Sequence, residues 1–401
     1  MKQRKGRQVR RAFSLTLVGI VVVVAGLLYW SRSGQTPVTG RISAVAAASG
    51  DADPRWKRVT APRPFSFPVD HGAHEEYQTE WWYYTGNLED ESGRPFGFQL
   101  TFFRRGLAPV QPERASKWAA RNIYLAHFTL SDITTGKFYA TERFSRDGAE
   151  QAGAQGDPYR VWLGAWQASG TDEQGDAMRL QATAEEFGID LLLASTKRAT
   201  LQGNQGYSPK GTGTGNASYY YSLTRMATQG TVNVGEQRFR IVDGTSWMDH
   251  EWGTSRLEEG GVGWDWFALQ LSDGRELTWA QLRGANGSAI GNSFGALTAA
   301  DGSSITLGPQ DLSLEVLDYW RSPASEARYP GRWRLRSEQA GLDLEVTPRM
   351  PNQELPVSIV YWEGAVEVEG SASGSAGNTP ITGVGYVELT GYLPSSNPIG
   401  R

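Results

Sequence analysis

Beyond about residue 60 the chain carries short runs of alternating apolar and polar residues and no long helical period, which restricts it to strand-built architectures. Phe96, Phe98, Leu100 and Phe102 fall on one face of a strand. Residues 219–223, 232–234 and 239–242 read as short strands between glycine turns. Residues 264–271 and 277–282 flank Asp273-Gly274, a strong hairpin signal. Residues 332–336 and 342–346 repeat the pattern around Ala340-Gly341. Short helices are expected only near 114–121 and 309–317. The 48 glycines suit a turn-rich β protein, and the 15 tryptophans suit barrel interiors or aromatic binding surfaces.

Cysteine is absent, which excludes disulfides, Cys-ligated zinc, iron–sulfur clusters, a thiol nucleophile and a lipoprotein anchor. The net charge of -4 conceals an asymmetry, because residues 1–34 carry basic groups and no acid. The body is therefore acidic and lacks the basic face that nucleic acid requires. Residues 13–30 are uncharged behind a basic flank, which predicts a membrane segment with the N-terminus in the cytoplasm. A cleaved export signal and an uncleaved anchor both fit; the small-residue stretch at 44–48 lies well beyond the apolar run, which favours the anchor. Arg10-Arg11 also resembles a twin-arginine signal. The expected layout is a signal or anchor over 1–34, a linker over 35–60, and domains over 61–253 and 254–401. The body is expected in the periplasm, tethered to the inner membrane through residues 13–30, or secreted if the signal is cleaved.

Two segments share an order of features. An aromatic cluster, a leucine, an aspartate, Gly-Arg and a strand follow both Trp81 and Trp264, and a duplicated β-barrel accounts for this. His71 and His74 do not form the H-E-x-x-H zinc pattern, and they read as a solvated loop with no metal. His127 reads as a core histidine. Gly244-Thr245-Ser246-Trp247-Met248 lacks the last glycine of a hydrolase nucleophile elbow.

The densest chemistry lies in 244–253. On an extended strand Asp249 and Glu251 share a face with Trp247, and His250 points the other way. A carboxylic acid against indole is desolvated, so it can hold a proton near neutral pH, and indole faces stabilise a nearby cation. That combination suits protonation of an isolated alkene; hydrogen-bond acceptance at a domain junction is the competing role. Carboxylates also adjoin large rings in Glu80-Trp81-Trp82-Tyr83, Trp264-Asp265-Trp266, Tyr361-Trp362-Glu363 and Tyr386-Val387-Glu388, which suggests a shared aromatic cavity.

Residues 77–86, 206–211, 246–253, 263–267 and 383–392 together resemble the AttH/CrtC-type family, which includes secreted proteins labelled as hydrolases and the carotenoid 1,2-hydratases. The resemblance implies an all-β fold of two lipocalin-like (calycin-type) antiparallel β-barrels in tandem, behind the N-terminal membrane segment. For the hydratase branch it implies addition of water to an isoprenoid double bond with no cofactor. The expected ligand is an elongated apolar isoprenoid or lipid. Asp249, His250, Glu251 and Asp265 are the candidate catalytic residues. Asp249 would act as acid, Asp265 or Glu251 would activate water, and His250 would orient a carboxylate. Trp81, Tyr83, Trp247, Trp252, Trp264, Trp266, Tyr361 and Tyr386 are the candidate ligand-binding residues. A non-catalytic lipophile carrier working with an ABC-type export permease, and a secreted hydrolase, are the alternatives.

Overall fold

The computed structural model describes residues 53–110, 116–211, 213–254, 260–284, 286–290, 293–374 and 377–393. The expected membrane segment and most of the linker lie outside these residues. Among the described residues no helix is long and apolar enough to cross a membrane.

The regular structure of the described chain is strand, apart from two three-residue 3-10 turns at Val69–His71 and Gly148–Glu150. One sheet runs through β1 (Thr79–Asp90), β2 (Pro95–Gly106), β3 (Asn122–Asp132), β4 (Lys137–Arg146), β5 (Ala152–Gly156), β6 (Tyr159–Leu163), β7 (Trp166–Gly170), β8 (Ala177–Thr183), β9 (Phe187–Ser195), β10 (Thr200–Leu201), β11 (Tyr207–Pro209), β12 (Ala217–Val234) and β13 (Gln237–Gly253). The other holds β14 (Gly261–Leu271), β15 (Glu276–Gly284), β16 (Phe294–Thr298), β17 (Ser304–Leu307), β18 (Ser313–Arg321), β19 (Arg328–Ser337), β20 (Leu342–Pro348), β21 (Glu354–Leu355), β22 (Tyr361–Gly374) and β23 (Gly377–Leu389). The chain passes from one sheet to the other between Gly253 and Gly261.

In each sheet the first strand pairs antiparallel with both the second and the last, β1 with β2 and β13, β14 with β15 and β23. Trp81 and Trp264 thus occupy equivalent places, as their shared sequence order suggests. Four expectations need correction. Residues 116–121, the described part of the first expected helix, form turns. His71 is buried and His74 largely so, rather than in a solvated loop. Residues 313–321 form β18 rather than a helix, because Leu314 and Val316 alternate with polar residues at a period of two and pack on the second core. The three short strands expected over 219–242 are two long ones, since β12 continues through glycine with register shifts at Leu223/Met226 and Ala227/Gly230. Gly230 is needed there, with φ 144°, because a Cβ would clash with the Asp190 carbonyl oxygen of β9.

Alternation gives each sheet a core face and an outer face. Trp82, Tyr84, Phe98, Phe128 and Met248 fill the first core, and Phe267, Trp333, Trp362 and Val387 fill the second. Both interiors are packed with side chains. The opposite faces of the two sheets meet through Tyr83, Trp247, Trp266, Ala268, Ala365 and Tyr386.

Polar groups also tie the sheets. Gln270 donates to the carbonyls of Thr224 and Ser246, Asn87 to the carbonyl of Gly385, and Gln202 to the Thr278 hydroxyl. Glu276 is fully buried on β15 and accepts from Lys197 at 2.7 Å, Arg225 at 2.6 Å and Thr224 at 3.2 Å. Removing one member of such a buried set leaves the others uncompensated. Glu276→Gln is therefore expected to lower unfolding stability by about 3–5 kcal/mol in a denaturant titration. A loss under about 1 kcal/mol would mean that solvent already screens the cluster.

Candidate functional site

Register assembles the site from six strand positions. On β13, Asp249 stands directly opposite Tyr83 of β1 and Ser222 of β12. On β23, Glu388 stands directly opposite Trp266 of β14 and Glu363 of β22. All of these belong to the outer faces, so the contact between sheets brings the two rows together. Asp249 belongs to the first sheet, and Glu363 and Glu388 to the second.

Asp249 Oδ1 accepts from the Ser222 hydroxyl at 2.5 Å and the Trp247 indole at 2.8 Å. Burial pushes its carboxyl up to about 7, against those bonds and the nearby Tyr220 hydroxyl, and the Glu251 charge adds to the rise. Glu388 accepts from the Trp264 indole at 2.5 Å; burial raises it to about 7, with the Asp249 charge adding to the rise. Glu363 is raised well above the carboxylate range by burial and then by Glu388. The hydroxyls of Tyr83 and Tyr361 lie near Glu363, yet neither reaches it with good hydrogen-bond geometry, and neither of its oxygens is paired among the described residues. Tyr83 packs edge-on against Trp266 at 5.1 Å, and Trp247 does so at 6.3 Å. Trp81 and Trp264 pack at the edge of the same cluster. The result is a set of desolvated acids among indole and phenol rings. It can hold protons at neutral pH, give one to an apolar substrate, and face the cation that forms.

These shifts fix the sign of a pH effect. Between the ordinary carboxylate range and about 7, the folded protein keeps protons on Asp249 and Glu388 that the unfolded chain has lost. Stability is therefore full below that window and declines as pH rises through it, on the order of a few kcal/mol for the two groups together. Melting temperature is expected to be higher at about pH 5 than at about pH 8, with the difference reduced in Asp249→Asn/Glu388→Gln. An equal dependence in the double variant would place the titration elsewhere.

The other expected catalytic residues take different places. Glu251 shares the face of Asp249, but its carboxylate is held by Lys210 at 2.7 Å and by Ser218 at 2.5 Å. Asp265 is buried on the core side of β14, bonded to Arg283 at 2.9 Å and to the Tyr392 hydroxyl at 2.9 Å. It sits one residue out of phase with Trp264 and Trp266, so those rings reach the site and its carboxylate does not. His250 points into the first core, where its Nε2 meets Glu80 at 2.9 Å and its Nδ1 the Tyr221 hydroxyl at 3.1 Å. It orients Glu80 rather than a carboxylate of the site. Trp252 lies on that same inner face, stacked on His74 at 3.8 Å. Tyr361 and Tyr386 do project between the sheets. The Tyr361 hydroxyl meets His127 Nδ1 at 2.9 Å, linking β22 to β3.

Beneath the site lies a second charged network. Glu80, His250 and Arg104 are fully buried. Burial opposes ionisation of Glu80, but Arg104, His74 and His250 outweigh it and hold the carboxyl well below its usual range. Burial alone would lower His74, yet Glu80 and Asp70 raise it; burial lowers His250. His74, Glu80 and His250 bring three ligand atoms within 4.8 Å, the spacing of a metal site. Their geometry already satisfies itself without one. Both histidines bond Glu80 Oε1, at 2.8 and 2.9 Å, and Arg104 occupies Oε2 at 2.9 Å. This set therefore reads as a charged clamp. The four histidines bond tyrosine, carboxylate, arginine and backbone groups; none bonds a serine hydroxyl among the described residues. An open groove of about 370 Å³ lies beside Phe294, lined also by Asn204, Pro209 and Leu307, and contains none of the acids.

The fold and site define an all-β protein of two large antiparallel sheets with a buried acid–aromatic centre between them. The chain belongs to the AttH-like family, whose pattern matches residues 58–392. Among solved structures it is similar to a candidate AttH from Nitrosomonas europaea, at 34% identity and a TM-score of 0.73, covering 84% of this chain and 100% of that one. It also shares its fold with kievitone hydratase from Nectria haematococca, at 14% identity and a TM-score of 0.63 over 84% of this chain and 97% of that one. CghA matches at 14% identity and a TM-score of 0.54, over 86% and 97% of the respective chains. No match to a curated protein was found.

Proposed function

We propose that this protein is a cofactor-free hydratase or hydro-lyase that acts on a lipophile held between its two sheets. The observation that carries the reading is the pairing of Asp249 and Glu388, one from each sheet, both buried and both raised to about 7 among tryptophans. Near neutral pH one can carry the proton while the other is ionised, which is the division of labour that addition of water needs. Asp249 gives its proton to one alkene carbon, and the electron pair of the double bond forms the new C–H bond. The rings of Trp247, Trp266 and Tyr83 face the resulting carbocation. Water attacks the cation and loses a proton to the Glu388 carboxylate. Proton exchange with solvent then restores both acids. The reverse sequence is a dehydration. A hydratase shares the fold, which supports the class; CghA, also of this fold, has been solved with Sch210972. The substrate reading extends to isoprenoids or other lipids, and the cellular reading to a periplasmic body tethered through residues 13–30.

Incubating the full-length protein with a bacterial lipid extract in ¹⁸O-labelled water tests this. Products carrying one added molecule of labelled water, formed only with active protein, are expected by mass spectrometry. A lipophile that copurifies with the protein and emerges without label would instead favour the carrier.

A further inference from the structure

We infer that the site seats a neutral lipophile by an oxygenated, hydrogen-bonding end, on a polar wall made by Gln99, Thr129, Tyr386, Tyr83 and Glu363. The inference rests on the reading above and adds the class of substrate. Five side chains carry it. Among the described residues, Gln99 Oε1 and Thr129 Oγ1 are buried with no hydrogen-bond partner, and the Tyr83 and Tyr386 hydroxyls and both Glu363 oxygens are buried with neighbours (Glu363, Ser131, Tyr83) that none of them meets in hydrogen-bond geometry. Folded proteins pair nearly all such atoms, since an unpaired one forfeits its hydration without return.

The atoms belong to one wall. Gln99 of β2 stands opposite Thr129 of β3. Gln99 and His127 reach across to the Tyr361 hydroxyl, at 3.5 and 2.9 Å, and Ser131 reaches Gln353 at 2.7 Å, which fixes this face of β2 and β3 against the second sheet. Glu363 lies two residues beyond Tyr361 on β22. Gly97 is glycine for a reason visible here: a Cβ at that position would stand 2.8 Å from the Tyr386 hydroxyl. Without it, Tyr386 brings its hydroxyl up to the first sheet, close to Ser131.

The chemistry of these atoms selects the ligand. Gln99 Oε1 accepts, because its amide nitrogen is already given to Thr101 at 2.6 Å. The hydroxyls and a protonated carboxyl both donate and accept. A hydroxyl, enol or carbonyl oxygen satisfies such a wall; a pure hydrocarbon leaves it unpaired. A carboxylate ligand would meet the Glu363 and Glu388 charges, and the Arg349 guanidinium near Tyr386 is turned to Asn87 at 3.4 Å. A cation would instead be drawn to the acids and rings, so it is the rival to be tested.

Farnesol, farnesene, farnesylamine and farnesoic acid share one chain and differ at its end. Their binding to the full-length protein, followed by tryptophan fluorescence, separates the classes. Farnesol is expected to bind about tenfold more tightly than farnesene, and more tightly than the amine or the acid. Tyr386→Phe with Thr129→Val should erase most of that preference while melting temperature stays constant or rises, because each change removes an unpaired buried polar atom and keeps its shape. Equal binding of farnesol and farnesene, tighter binding of either charged probe, binding of none, or an unaltered preference in the double variant each overturns the inference. A wall that holds ordered water only would show as a lower melting temperature with unaltered preference. Binding is read without turnover, so a missing ¹⁸O product leaves this inference standing, and labelled product without a preference for farnesol defeats this inference alone.

Discussion

Asp249→Asn is expected to lower turnover by about 10²- to 10⁴-fold and to leave the fold intact. Asparagine keeps the shape of the side chain and an Oδ1 that can accept from Ser222 and Trp247, as aspartate does at 2.5 and 2.8 Å. What it loses is the transferable proton. Above about pH 7 the wild-type protein must ionise this buried carboxyl or hold a proton against the solvent, whereas asparagine bears no charge at any pH. The variant should therefore match wild type in melting temperature at about pH 5 and exceed it at about pH 8. Incorporation of ¹⁸O and thermal melting, run on the same preparations, check both halves. Retained turnover would move the acid role to Glu388 or Glu363. A large loss of stability would make Asp249 a structural acceptor.

The second large effect lies in the core beneath. Arg104 is fully buried and makes four bonds: to Glu80 at 2.9 Å, Asn122 at 3.0 Å, and the carbonyls of His74 and Tyr77 at 3.0 and 2.9 Å. It holds the segment before β1 against β2 and compensates the Glu80 charge. Arg104→Met should cost about 3–5 kcal/mol in urea unfolding, because Glu80 then loses its principal counter-ion. Arg104→Met/Glu80→Gln should regain part of that loss, since no uncompensated carboxylate remains. If the two losses simply added, His74 and His250 would be supporting Glu80 without Arg104.

The site was legible where strand parity decides it. Alternation alone puts Trp247, Asp249 and Glu251 on one face and His250 on the other, and the sheet keeps that arrangement. The acid–aromatic segments also announce themselves, and all four converge: Tyr83, Trp264 with Trp266, Tyr361 with Glu363, and Tyr386 with Glu388 contribute to the meeting faces. Which member of each segment faces outward was harder to read. Glu80 resembles Glu363 and Glu388 in its neighbours, yet it shares the inward parity of Trp82 and Tyr84 and becomes the centre of the Arg104 clamp. Asp265 turns to Arg283 for the same reason. Parity is fixed only relative to which face packs on which core, and that depends on long-range pairing that no local stretch records. The opposition of Glu363 and Glu388 likewise comes from the register of β22 with β23. Packing between outer faces, rather than an interior cavity in either sheet, follows from two cores already filled by rings such as Trp82 and Trp333.

Carbon-13 NMR of selectively labelled carboxyls in the full-length protein, titrated with Asp249→Asn and Glu388→Gln for assignment, measures the central property directly. Two carboxyls are expected to titrate close to 7, one lost in each variant. If both instead titrate in the ordinary range near about 4, the buried acids are ionised at neutral pH and the proposed proton donor does not exist.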